Sequence, residues 1–106
     1  MEPVLLYITA AHREEAILLC RELVGDRLVA CANMIEHATS FYWWQGEIEQ
    51  QQEVVIIAKT LASYVARVTE RVKALHSYEC PCVVSVPITN GNSDYMDWIA
   101  KEVTPR

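Results

Sequence analysis

Residues Val29 to Thr60 read VACANMIEHATSFYWWQGEIEQQQEVVIIAKT, and the organisation of the whole chain follows from them. Val29 to Trp44 and Glu47 to Lys59 have the composition of two strands. Between them Gln45-Gly46 is a two-residue loop in which glycine supplies a positive φ, the geometry of a tight hairpin. A domain of this size has a diameter of roughly 35 Å, whereas a hairpin arm of about 14 residues reaches roughly 45 Å. The arms must therefore bend or protrude. Strand alternation puts Phe41 and Trp43 on one face and Tyr42 and Trp44 on the other, so bulky rings stand on both sides of the projecting part. Left wet, each ring forfeits about 2 kcal/mol of burial, which makes another subunit the natural cover. The alternative is a bulge near Ala38 that folds the arm back onto its own core.

Working outward, Val4 to Thr9 is an apolar run of strand length, and Arg13 to Val24 carries Ala16, Ile17, Cys20, Leu23 and Val24 on one helical face. Gly25-Asp26 ends that helix. Beyond the hairpin, Ser63 is a candidate cap for a second helix with Val65, Val68, Val72 and Leu75 at helical spacing. Val83 to Val86 is a short strand. Asn90-Gly91-Asn92-Ser93 is turn and cap chemistry leading into a third helix from Asp94 to Val103, with Tyr95, Trp98, Ile99 and Glu102 on one face. The order β-α-β-β-α-β plus a terminal helix predicts an α+β, ferredoxin-like domain spanning residues 1–106, with helices on one face of an antiparallel sheet.

The chain has 106 residues, enough for one self-sufficient core but not for two. With 52% hydrophobic and 22% charged residues it lacks the signature of disorder. Lys+Arg number 9 against Asp+Glu 14, giving a net charge of -5, and no basic run exists to neutralise a phosphate backbone, so nucleic acid is not expected as a partner. No apolar stretch approaches the roughly 18 to 20 residues that span a bilayer, and Met1-Glu2-Pro3 opens directly into a short strand, so a cytoplasmic protein without membrane contact is expected. Cys20, Cys31, Cys80 and Cys82 are then reduced thiols rather than a disulfide framework.

Val29-Ala30-Cys31-Ala32-Asn33, Ser40 through Tyr42, Trp44, Gly46, Glu53, Lys59-Thr60, Tyr78, Pro81, Pro87, Tyr95 and Trp98-Ile99 resemble the CutA divalent-cation-tolerance family. The likeness runs from about Leu6 to Ile99. It implies a homotrimer similar in build to the PII signalling proteins, with clefts between subunits, an association with copper and other divalent cations, and no established enzymatic activity. In that trimer Phe41, Tyr42, Trp43 and Trp44 are expected at the interface. The family's copper ligands are a cysteine closing the first strand, a histidine in a histidine-proline-tyrosine segment, and a glutamate after the next proline. Here they fall on Ile8, His76 and Cys82, and Ser77 stands where the proline does.

Among the residues themselves, His76, Glu79, Cys80 and Cys82 form the densest group of potential ligands for copper or zinc. In an extended segment Cys80 and Cys82 point the same way; the competing reading is inert packing, with Pro81 splaying the pair. Lys59 ends a strand buried on both sides, where a charge needs a partner. That partner is either a carboxylate such as Glu53 or a small anionic ligand in an intersubunit cleft. The resemblance puts Lys59, Tyr78, Tyr95, Trp98 and Glu53 in that cleft. His12 and His37 read as structural or surface residues, and Glu47, Glu49 and Glu53 as a solvated strand face. No phosphate-cradling glycine loop, nucleophile elbow or zinc-protease histidine pair is present, so no enzyme is expected. Besides cation tolerance, a PII-like small-molecule signalling module and a structural trimer that scaffolds another protein fit the sequence.

Overall fold

The computed structural model describes residues 2–103; Met1 and residues 104–106 of the expected 1–106 domain lie outside the described residues. Strands β1 (Pro3–Ala10), β2 (Cys31–Trp44), β3 (Glu47–Leu61) and β4 (Val83–Pro87) form one antiparallel sheet in the order β2-β3-β1-β4. Helices α1 (Arg13–Gly25), α2 (Val65–Leu75) and α3 (Ser93–Glu102) complete the fold.

The core follows from the period of two in the central strands. Leu6, Ile8 and Ala10 of β1 stand opposite Ala58, Ile56 and Val54 of β3. All six face the layer made by Ala16, Leu19 and Leu23 of α1 with Val68 and Val72 of α2, and these residues are buried together. Helix α1 starts where His12 Nδ1 accepts the Glu15 N–H at 3.2 Å, so His12 is a cap. Ser63 does not cap α2 as the sequence led us to expect. It lies inside a 3-10 turn, Ala62–Tyr64, and no side chain caps the helix that follows.

The third helix departs from the expectation that all helices share one face. Its Ile99 and Val103 pack with Leu61, and alternation along β3 puts Leu61 on the side away from α1 and α2. An Arg27–Glu102 ion pair at 3.0 Å ties the end of α3 to the turn after α1. Helix α3 therefore covers only one end of the second sheet face. The rest of that face carries Leu5, Tyr7, Ile35, Ile57, Val84 and Val86, aligned across all four strands by the register Val84–Tyr7–Ile57 and Val86–Leu5. Val84 and Val86 remain 52% and 54% exposed.

The hairpin is built as expected at its tip, where Gln45 and Gly46 both take positive φ, 50° and 82°. A bulge does exist near Ala38: Glu36 and His37 together oppose Val54, and His37 adopts φ 69°. It does not fold the arm back. The molecule is 44 Å along its longest axis against 28 and 22 Å across, and Phe41 and Trp43 stay 66% and 71% exposed. The extra residue also changes which side chains face which way. Before it Cys31, Asn33 and Ile35 lie on the open face; after it Ala38, Ser40, Tyr42 and Trp44 do.

The segment from His76 to Cys82 joins α2 to β4 and is fastened by Glu15. The Glu15 carboxylate accepts the Ala11 N–H at 2.7 Å and the Ser77 N–H at 2.7 Å. Burial pushes its pKa up, but the hydrogen bonds from Ala11 and Ser77 outweigh that and leave it below the ordinary 4.5. A depressed carboxylate stabilises the fold above its unfolded pKa and loses that contribution as the pH falls through the folded value. Glu15→Gln should cost about 1 to 2 kcal/mol in chemical denaturation at neutral pH, with the gap to the unaltered protein closing below about pH 4. Equal stability at neutral pH would show that this carboxylate does not hold the segment.

Candidate functional site

The open face of the sheet carries two polar clusters, one at each end of β3. At the first, β2 and β3 pair Cys31 directly with Lys59. Their side chains point to the same face, and α3 lays Tyr95 and Trp98 over them. Lys59 Nζ is 4.0 Å from Cys31 Sγ and 5.7 Å from the centre of the Tyr95 ring, within cation–π range. Tyr95 Oη lies 3.5 Å from the same sulfur, and the Tyr95 and Trp98 rings are 5.4 Å apart at 36°. The hydrogen bond with Cys31 and burial raise the Tyr95 pKa, against the opposing charge of Lys59, so the phenol keeps its proton. Among the described residues no carboxylate lies within ion-pair distance of Lys59. Trp98 also borders a groove of ≈ 370 Å³ shared with Arg27, Ala30 and Glu102.

At the other end Glu53, buried on β3, accepts the Tyr78 hydroxyl at 2.7 Å. Burial and that hydrogen bond hold the Tyr78 hydroxyl far above its usual range. Tyr42, brought to this side by the bulge, is raised as well, by burial and then by the charges of Glu53 and Glu49. Cys82 is raised by burial, Glu53 and Cys80, and its sulfur lies 4.0 Å from the Tyr7 carbonyl.

Five residues were expected to share one cleft, and within a single chain they divide. Lys59, Tyr95 and Trp98 are at one end; Glu53 and Tyr78 are at the other, six residues or roughly 20 Å along the strand. The alternative of a Lys59–Glu53 ion pair fails for the same reason.

His76 is not positioned as a free ligand. Its Nδ1 accepts the Tyr78 N–H at 3.0 Å, which puts the ring proton on Nε2, and Nε2 donates to the Thr9 carbonyl at 2.7 Å. The imidazole is fully enclosed, with the Glu15 carboxylate 3.7 Å away. Ile8, at the position of the family's cysteine, is a core residue. Among the described residues no three His, Cys, Asp or Glu side chains converge as a metal-holding group. Cys80 is exposed and Cys82 half-buried. Sequence reasoning had missed Cys31 and Glu15 as members of polar clusters. The cross-strand partner of Lys59 was the available signal for Cys31; Glu15 had none, because its partners come from distant segments.

Comparison with known proteins agrees with this geometry. The model of the CutA1 divalent ion tolerance protein family matches residues 4–102. The divalent-cation tolerance protein CutA of Thermus thermophilus is 43% identical over 99 residues, 93% of this chain and 95% of that protein. The crystal structure of CutA1 from Oryza sativa superposes with a TM-score of 0.95 at 32% identity, covering 98% of this chain and 95% of that one. The CutA of Archaeoglobus fulgidus, described as a periplasmic divalent cation tolerance protein, does so with a TM-score of 0.92 at 39% identity over 96% of this chain and 99% of that one. Over nearly its whole length, in sequence and in backbone, this chain belongs to the CutA1 divalent ion tolerance family.

Proposed function

We propose that the protein is a non-catalytic homotrimer of ferredoxin-like, PII-like subunits in a reducing compartment such as the cytoplasm, serving divalent-cation tolerance through ligands bound at clefts between subunits. The observation that carries this reading is the half-covered sheet. An apolar face running across all four strands, continued by aromatics on both sides of a projecting hairpin, is what an interface between copies looks like before the copies meet. The two margins of the face differ, the long β2 on one side and the short β4 on the other, so neighbours contact head to tail. Such contacts make a ring where the rotation between neighbours closes and a filament where it does not, and the proposed three copies are the closed case. Because α3 stands up from one end of the face, a neighbour's sheet stops there and leaves a cleft at Lys59. In a ring, the Lys59 end of one subunit can meet the Glu53–Tyr78 end of the next, which reunites the five cleft residues.

For the cation itself, the donor set of one chain does not fit. His76 is enclosed and would have to give up at least one of its hydrogen bonds, and Cys80 and Cys82 alone are fewer than the three protein ligands that a zinc or copper site generally uses. Copper or zinc uptake is then a weak contact with the two thiols of this exposed segment. A second reading, a PII-like module that senses a small anion, draws on Lys59, which lies against the Tyr95 ring with no carboxylate partner among the described residues.

Two outcomes test these readings. In a lone chain Val84→Asp sits on a half-exposed strand and costs about 1 kcal/mol; in the assembly it buries a charge. It should lower the mass seen in sedimentation velocity and the melting temperature together, as should Trp43→Ala with Trp44→Ala; an unchanged mass and melting temperature in both variants would show that neither the open face nor the tip aromatics hold the assembly together, and a single-chain mass for the unaltered protein would overturn it. In competition titrations, Cu(I) or Zn(II) uptake should survive His76→Gln and be lost in Cys80→Ser with Cys82→Ser. Loss of uptake in the histidine variant alone would restore the imidazole as the ligand.

A further inference from the structure

We propose that Cys31 is a reactive thiol that exchanges with small acidic disulfides, using Lys59 as its charge partner and Tyr95 as a hydrogen-bond donor. The proposal rests on reading the Lys59 end as an open cleft and names a ligand class for it.

The four cysteines sit in different surroundings. Cys20 is on α1 and burial pushes its thiol up. Cys82 is pushed up by burial and by the negative charge of Glu53. Cys80 is exposed, beside Glu79 in the chain and with no cation against it among the contacts of the described residues. Among the described residues Cys31 is the cysteine with an ammonium group within reach, Lys59 Nζ at 4.0 Å, together with a phenol at 3.5 Å that keeps its proton. Both groups can donate to a sulfur anion. A partly exposed sulfur facing a cation is the setting in which thiolates act as nucleophiles, whereas apolar or acidic surroundings suppress them.

The chemistry is balanced within the site. The Cys31 thiolate attacks one sulfur of the incoming disulfide, a new S–S bond forms, and the other sulfur leaves as a thiolate that takes a proton from water. Cys31 is oxidised and half of the disulfide is reduced. Lys59 Nζ is shared between the attacking sulfur and a carboxylate of the substrate, and the Tyr95 and Trp98 rings wall the cleft. An acidic disulfide is therefore preferred over a neutral one of similar size. The modification would replace the Lys59–Cys31–Tyr95 contacts with a bulky anion at the edge of the assembly, so the thiol state and the contents of the cleft are coupled.

The test is a timed reaction of the intact protein with oxidised glutathione, quenched in acid and mapped by peptide mass. The first adduct should form on Cys31, and Lys59→Met should slow it by roughly tenfold while Lys59→Arg retains most of the rate. The neutral disulfide of mercaptoethanol should show little dependence on residue 59. First modification at Cys80 or Cys82, or equal rates in the Met and Arg variants, would overturn the proposal. A circular-dichroism melt confirms that each variant is folded, and Tyr95→Phe gives an independent arm, with a smaller slowing expected. A first adduct on Cys31, with the same dependence on residue 59, in an unaltered protein that sediments as a single chain would sustain the thiol site while the assembly reading failed, so the two are tested separately.

Discussion

The constraint on which this structure depends is that β3 is apolar on both faces. Val54, Ile56 and Ala58 look one way and Val55, Ile57 and Leu61 the other, so both sides of the sheet must be kept from water. The chain has two helices for the first side and only the short α3 for one end of the second. Each large aliphatic side chain left wet forgoes about 1.5 to 3 kcal/mol. The sheet can be finished only by further polypeptide, and the projecting hairpin carries the same demand beyond the edge of the domain. The proposed assembly follows from where the helices of the described residues run out.

Much of the fold was legible because local rules and tertiary needs agree. The apolar run of strand length from Val4 to Thr9, the Gln45-Gly46 turn and the spacing of Val65, Val68 and Val72 each correspond to an element in the structure. Legibility ended where a residue acts against its usual preference. His37 takes a left-handed conformation with no glycine to announce it, and the bulge it forms reverses which hairpin side chains face the open sheet. Ser63 offers good cap chemistry but is used in a 3-10 turn. The side chosen by α3 depends on its contact with Leu61, which alternation within the helix cannot reveal.

The candidate site was legible as a list of residues and not as an arrangement. Lys59 and Tyr95 do meet, with Trp98 against the tyrosine ring, because α3 lies across the strand end that carries the lysine. Glu53 and Tyr78 meet as well, but at the other end of the same strand. His76 is the sharpest contrast. Its residue type invites a metal, while its two nitrogens are spent on the Thr9 carbonyl and the Tyr78 N–H, holding a connecting segment in place. A histidine's chemistry is set by what its nitrogens already hold, and those partners lie far away in sequence. Cys31 is the converse: unremarked by type, it gains a cation and a phenol only through strand register and helix placement.

The family supplies the context of divalent-cation tolerance, and the geometry narrows how one chain could contribute to it. Among the described residues of one chain no ligand set is gathered, and the polar ends of the open face are complementary rather than complete: Lys59 without a carboxylate at one, a buried carboxylate with two tyrosines at the other. Function in this account belongs to the junction between copies. The most direct measurement is the mass of the unaltered protein by native mass spectrometry at about micromolar concentration, a range in which well-packed interfaces persist. The account predicts a species of three copies of the 12.1 kDa chain. A stable, folded single chain under those conditions would contradict it.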